Sequence, residues 1–259
     1  MSTDTTPTPT SLPTPDAELR YGELPDQVAD LFLPPGAQPA PLLLLIHGGF
    51  WKAEYDRIHV RTTARALSDR GYVVASLEYR RVGGGAASEG GWPVTMDDVA
   101  RAVEVLPTVI AQRFPERADP LQIVTIGHSA GGHLALWAAL TASNVTGAVS
   151  LAGVVDLGAA YLIRSGSGSV ARFMGGGPDE VPERYSAADP ARLGPPTVPV
   201  VLVHGDLDEV LPLSIPLGYG ERFGVPVIVA KGSGHFDLIE PDSTAWQSVL
   251  KAIDDVLAR

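Results

Sequence analysis

The sequence predicts an α/β fold, with a mostly parallel sheet, helices on both faces and a short lid at one edge. Strand-like runs alternate with helical patterns along the chain, and the strand runs are apolar without interruption, as in residues 42–46. Strands that are buried on both faces are typical of parallel sheets covered by helices. The length of 259 residues is sufficient for one large domain of this class, which we predict over residues 16–259.

In the first half of the chain, three strands and two helices are predicted. The strand at 27–33 is ended by the Pro-Pro-Gly sequence that follows it, and the strand at 42–46 is a buried apolar run. Residues 58–70 have the apolar spacing of a helix and stop before a glycine. A strand at 72–79 comes next, and a Gly-rich loop then leads to a helix at 95–113.

The second half begins with an apolar, β-branched strand at 121–126 and an Ala- and Leu-rich helix at 130–140. A strand at 146–155 is followed by residues 157–196, whose Gly and Pro runs do not fit a simple crossover helix. We expect this excursion to form a lid with one or two helical turns over the carboxyl edge of the sheet. The remaining elements are strands at 198–204 and 225–230 and helices at 215–223 and 245–257.

The composition argues against several classes of partner and excludes cysteine-based chemistry. A net charge of −11 argues against a nucleic-acid or membrane partner, because those need basic patches. The absence of cysteine excludes disulfides, thiolate metal sites and a cysteine nucleophile. Residues 1–15 form a Pro/Thr tail that we expect to be disordered, and they lack the features of a signal peptide. We expect a cytoplasmic protein with a small-molecule substrate, and the sequence leaves a homodimer open.

The strand at 121–126 and the following helix are joined by Gly127-His128-Ser129-Ala130-Gly131, which has the pattern G-x-S-x-G. At a sharp strand-to-helix turn the central residue is strained, and small residues two positions away let strand and helix approach. The turn presents the serine hydroxyl at the sheet edge, near the positive end of the helix dipole. We therefore predict that Ser129 is a nucleophile and that the Ala130 amide stabilises an oxyanion.

A serine nucleophile requires a base, and an acid that orients the base. Where these residues follow the chain order Ser, acid, His, only three of the six histidines remain after Ser129. His133 is one turn into the helix behind the serine and cannot reach its hydroxyl. His204 ends a strand and is expected to pack under the acid loop. His235 lies in a Gly-rich loop after the last strand, and we assign it as the base.

The acid is expected after the strand at 198–204, in a loop that contains Asp206 and Asp208. Asp206 follows a glycine in a tight turn and is typical of a turn-capping aspartate. We therefore assign Asp208 as the acid, with Asp156, at the end of the preceding strand, as a weaker alternative.

The second part of the oxyanion hole is predicted at His47-Gly48-Gly49-Phe50-Trp51, directly after the buried strand at 42–46. Glycines allow backbone amides to approach the serine closely, and we assign the N–H groups of Gly49 and Phe50 to this role. Trp51, Trp92 and Phe236 are expected to line the substrate pocket. No cofactor or metal is expected, since the histidines are scattered and lack ligand spacing.

Residues from about 27 to the C-terminus resemble an α/β-hydrolase. The motifs HGGFW (47–51) and GHSAGG (127–132) resemble the arylformamidase (kynurenine formamidase) and carboxylesterase group. The segments HGDLD (204–208) and GHF (234–236) are also similar to that group. Phe50 stands where the lipase-type HGGG motif has its third glycine, which places the chain outside the main hormone-sensitive-lipase pattern.

The resemblance implies cofactor-free hydrolysis of formamide or ester bonds, which we assign to Ser129, His235 and Asp208. We expect small acyl groups and aromatic leaving groups. The excursion at 157–196 is too short and polar to build the long apolar tunnel of a lipase. Two alternatives differ in class: a peptidase of the prolyl-oligopeptidase type, and a non-catalytic binding protein with the same fold.

Overall fold

The computed structural model describes residues 12–259, so most of the tail expected at 1–15 lies outside the described residues. The strands form one eight-stranded sheet in the order β1-β2-β4-β3-β5-β6-β7-β8. Neighbouring strands from β4 to β8 run parallel, and β1 and β2 join antiparallel at one edge. The predicted mostly parallel α/β fold is therefore confirmed.

The elements match most of the predicted positions. The strands are β1 (Ala17–Arg20), β2 (Val28–Phe32), β3 (Ala40–Ile46), β4 (Val73–Leu77), β5 (Ala118–His128), β6 (Gly147–Leu151), β7 (Val200–Gly205) and β8 (Val227–Ala230). The helices are α1 (Arg61–Asp69), α2 (Val94–Arg113), α3 (Ala130–Thr141), α4 (Leu157–Leu162), α5 (Ser165–Met174), α6 (Pro182–Ala188), α7 (Pro190–Leu193), α8 (Ser214–Phe223) and α9 (Trp246–Leu257).

Two layers of apolar side chains cover the two faces of the sheet. In β3, Leu42 and Leu44 belong to the core on one face, with α2 and α3, whereas Leu43 and Leu45 belong to the core on the other, with α1 and α9. Successive side chains of a strand point to opposite faces, so a run of five apolar residues supplies both layers. This is why the central strands are apolar throughout.

The structure differs from the predicted strands at two places. Strand β1 was not predicted, because it is only four residues long and alternates between buried and exposed positions. The strand predicted at 146–155 ends at Leu151, since Ala152 takes a positive φ of 45° and leaves the extended conformation.

The excursion after β6 contains more helix than the one or two turns expected. Helices α4 to α7 fill it, and Phe173, Met174 and Tyr185 are at most 1% exposed in the core. The carboxylate of Asp189 accepts hydrogen bonds from the amides of Leu157 (3.0 Å) and Gly158 (3.3 Å), which ties its two ends together. Pro182 and Pro190 stand in the first turns of α6 and α7, whereas Gly166 and Gly168, with φ of 59° and 81°, interrupt the start of α5.

Within residues 12–259, none of the helices combines the length and the apolar character needed to cross a membrane.

Candidate active site

Ser129 occupies the strained turn that the sequence predicts between β5 and α3. Its φ and ψ are 55° and −116°, a combination that L-residues rarely adopt. A Cβ at Gly127 would overlap the backbone of Gly131, and a Cβ at Gly131 would overlap the carbonyl oxygens of Ile46 and His47. The two glycines therefore allow the serine turn to pack directly against the end of β3.

Replacing Gly131 with alanine is expected to destabilise the protein by about 1–3 kcal/mol, because the new methyl group meets backbone that cannot rotate away. The free energy of unfolding from chemical denaturation measures the loss. Gly218→Ala is the matched control: Gly218 lies in α8 with no atom near its added Cβ, and a helix favours alanine over glycine by about 1 kcal/mol. Equal stability of the two variants would contradict this packing argument.

Asp208 and His235 form a buried pair at the carboxyl edge of the sheet. The Nδ1 atom of His235 donates to Oδ2 of Asp208 at 2.7 Å, and both side chains are at most 4% exposed. The other carboxylate oxygen accepts the amides of Val210 and Leu211, each at 2.8 Å. Burial alone would raise the pKa of Asp208, but hydrogen bonds from His204 and His235 outweigh it and hold the pKa well below its usual range.

The competing acids make local turn contacts. Asp206 accepts a hydrogen bond from the Gly232 amide at 2.6 Å, and Asp156 caps α4 by accepting from the Ala159 amide at 2.7 Å. Neither forms an ion pair with His235 among the described residues.

The competing histidines are also engaged elsewhere. Nε2 of His133 donates to the Ala188 carbonyl at 2.9 Å, which faces the helical excursion. Nε2 of His204 lies 2.9 Å from the Leu211 carbonyl and 3.2 Å from Oδ2 of Asp208, so it packs beneath the acid loop as the sequence suggests.

The loop after β3 brings backbone amides next to Ser129. Gly49 and Phe50 have φ of 106° and 56°, which turns the chain sharply after the strand. Among the described residues, the amides of Gly49, Phe50 and Ala130 donate no hydrogen bond to the protein. Three unpaired backbone donors therefore lie next to the strained serine.

A buried charged network that the sequence reasoning missed supports this loop. Nε2 of His47 lies 2.9 Å from Oε1 of Glu78, Arg81 lies 3.0 Å from the same oxygen, and the Tyr79 hydroxyl donates to the His47 carbonyl at 2.9 Å. Burial alone would raise the pKa of Glu78, but His47 and Arg81 outweigh it and lower the pKa. The positions of these residues in the sequence could have indicated the contact. His47 follows Ile46 and Glu78 follows Leu77, and these two preceding residues are paired between the adjacent strands β3 and β4.

A cavity of about 150 Å³ opens beside Ser129. Its wall contains part of the loop after β3, two histidines and three aromatic rings. The lining residues are Gly49, Phe50, Tyr55, His59, His128, Ser129 and Phe236.

Of the three aromatic residues expected at the pocket, only Phe236 is among the lining residues of this cavity. Phe236 lies in the cavity wall and is 59% exposed. Trp51 is 1% exposed and stacks on Phe173 at 4.5 Å between ring centroids. Trp92 packs against the same core, and its amide donates to the Phe173 carbonyl at 2.8 Å. The expected pocket roles of Trp51 and Trp92 are therefore corrected: both pack under the helical excursion.

His128 connects the serine turn to the loop of His235. Its Nε2 donates to the backbone carbonyl of His235 at 2.9 Å, and the two rings lie 4.7 Å apart. Burial, together with the nearby His235, lowers the pKa of His128 to about 3, so this imidazole is neutral near pH 7. Ser129 and His235 are thereby held at the same edge of the sheet. The structure records no hydrogen bond from the Ser129 hydroxyl to a described group.

In the part of the chain that the structure describes, no three His, Asp or Glu side chains are grouped as a metal site would need.

The sheet order, the strained serine turn and the loop after β3 define the α/β-hydrolase class. A solved carbohydrate esterase from gut microbiota, in truncated form, has this fold: it superposes with a TM-score of 0.77 over 94% of this chain and 98% of its own, at 19% identity. The chain belongs to the BD-FAE family, whose model matches residues 29–215.

This chain matches less than two thirds of the length of each of two curated relatives. Esterase LipC of Mycobacterium tuberculosis is 27% identical over 85% of this chain and 59% of its own sequence. Methylphloroacetophenone synthase of Cladonia uncialis is 34% identical over 48% of this chain, and the match spans 5% of that enzyme.

Proposed function

We propose that this protein is a serine carboxylic ester hydrolase, with Ser129 as nucleophile, His235 as base and Asp208 as the orienting acid. The main support is the buried Asp208–His235 pair, at 2.7 Å, on the loop that His128 ties to the strained serine turn. The similarity to Esterase LipC agrees with this activity.

In the proposed reaction, Oγ of Ser129 attacks the carbonyl carbon while Nε2 of His235 takes its proton. The carbonyl oxygen becomes negatively charged and is stabilised by the amides of Gly49, Phe50 and Ala130. The intermediate collapses as His235 gives the proton to the leaving oxygen or nitrogen. Water, activated by the same histidine, then releases the acyl group from Ser129. The Asp208 carboxylate fixes the tautomer of His235 and stabilises its positive form.

The proposed substrates are esters of small acyl groups and aryl formamides. The cavity volume of about 150 Å³ is the same as that of a protein cavity known to bind one benzene molecule. This space accepts formyl, acetyl or butyryl groups, and the exposed Phe236 ring beside His235 supplies a stacking surface for an aromatic leaving group.

We expect kcat/KM for p-nitrophenyl esters to be highest for acyl chains of two to four carbons and to fall steeply for longer ones, because longer chains exceed the cavity. A series from two to sixteen carbons measures this. N-formylkynurenine and an aliphatic formamide, assayed side by side, test the preference for an aryl leaving group. A maximum at long chains would contradict the small-acyl proposal, and equal rates on the two formamides would contradict the aryl preference.

A further inference from the structure

The cavity beside Ser129 contains two imidazoles that the proposed reaction does not use. His59 and His128 both lie in its wall. Their ring nitrogens differ in hydrogen bonding, and this difference determines what each ring offers to a bound molecule.

In His59, Nδ1 is bonded to the backbone carbonyl of Asp56, one turn earlier. A carbonyl oxygen only accepts hydrogen bonds, so Nδ1 carries the proton. His59 is an exposed residue of the cavity wall. Partial desolvation, helped by the neighbouring His47, lowers its pKa, so the ring is neutral near pH 7. Nε2 therefore carries a free lone pair, and among the described residues it has no hydrogen-bond partner.

The same reasoning applies to His128. Its Nε2 donates to the His235 carbonyl, so in the neutral ring Nδ1 carries the lone pair. The polar side-chain groups that the two histidines present are thus acceptors. A saturated hydrocarbon chain in this cavity would offer a donor to neither of them.

The position of His235 indicates which part of a substrate enters this cavity. His235 must reach the leaving group to protonate it. His235 belongs to the wall of a separate cavity of about 380 Å³, which shares Phe236 with the cavity of Ser129. The leaving group therefore belongs on the His235 side of Phe236, and the acyl group belongs beside Ser129, Gly49 and Phe50.

We infer that the acyl cavity selects a short acyl chain that carries a hydroxyl group, whose O–H donates a hydrogen bond to Nε2 of His59. This inference rests on the proposed ester hydrolysis and names its acyl substrate class. His59 is then a specificity-determining residue and takes no part in the proton transfers.

Phenyl esters in two matched sets test the inference. One set has acetyl, glycolyl and methoxyacetyl groups, and the other has butyryl, 3-hydroxybutyryl and 3-methoxybutyryl groups. In each set the methoxy compound keeps the electron-withdrawing oxygen but lacks the O–H donor. We expect the wild type to favour the hydroxyacyl ester over its methoxy counterpart in at least one set. His59→Phe should reduce that ratio of kcat/KM about 2- to 12-fold, the range for one net hydrogen bond.

His59→Gln is the matched conservative variant, because its side-chain carbonyl can still accept a hydrogen bond, and it should retain more of the preference than His59→Phe. Hydrolysis of the acetyl and butyryl esters reports on the proposed function separately. The inference is overturned if the wild type shows no hydroxyl preference in either set, or if His59→Phe leaves the ratio unchanged while plain esters are still hydrolysed. If the wild type hydrolyses none of the esters, the proposed function fails and the inference fails with it.

Discussion

Ser129→Ala is expected to reduce kcat on p-nitrophenyl acetate by about 10⁶-fold, the loss that follows removal of a serine nucleophile. The fold should be unaffected. Alanine keeps the Cβ, so the strain at a φ of 55° is unchanged, and no recorded hydrogen bond of the serine hydroxyl is lost. Thermal unfolding of the variant should match the wild type.

Labelling with a fluorophosphonate provides a second measurement, because the reagent bonds covalently to an activated serine. The wild type should be labelled and Ser129→Ala should not. Retention of more than a few per cent of wild-type activity by a correctly folded variant would contradict the assignment of the nucleophile. A wild type that resists labelling and hydrolyses no ester would instead favour a non-catalytic binding protein.

Asp208→Asn is expected to reduce kcat by about 10⁴-fold. The carboxylate accepts from His235 at 2.7 Å and stays ionised because its pKa is lowered. An amide is neutral, so it neither stabilises the positive imidazole nor enforces the tautomer in which Nδ1 carries the proton. Measured as kcat at saturating substrate, this loss should appear without a comparable change in KM.

Asp206→Asn is the matched control, since it makes the same chemical change two residues away in the same loop. Asp206 accepts from the Gly232 amide and lies 3.4 Å from Lys231, and neither contact involves the proposed reacting groups. Its kcat should stay close to that of the wild type. If Asp206→Asn is inactive and Asp208→Asn is nearly normal, the assignment of the acid is wrong.

The parts of the fold that depend on short stretches of sequence were predictable. Each central strand is a run of apolar residues long enough to supply both layers of the core, and the Ser129 turn is bounded by glycines that have to be small. The pairing of Asp208 with His235 could be anticipated, because both follow strands that lie side by side in the sheet. Chain order and the strand ends together were sufficient for these residues.

Contacts between distant segments were not predictable in the same way. Trp51 comes directly after Gly49 and Phe50, yet its side chain packs in the core. Its stacking partner there is Phe173, which lies more than a hundred positions later in the sequence. His59 has no motif around it. It lies in the short turn before α1 and shares the cavity wall with Gly49 and Phe50 of the loop after β3. Which aromatic and imidazole rings face a cavity depends on such long-range packing, which a single sequence does not encode locally.

The close packing of Gly131 against the end of β3 has a consequence for attempts to change the substrate range. The serine turn and the loop after β3 cannot shift independently, so random variation there will mostly yield inactive proteins. Diversity in a directed-evolution library is better placed at Phe236, which faces the cavity from the loop after β8 and is 59% exposed. Substitutions there can change the substrate range and leave the packing of the serine turn against the end of β3 unchanged.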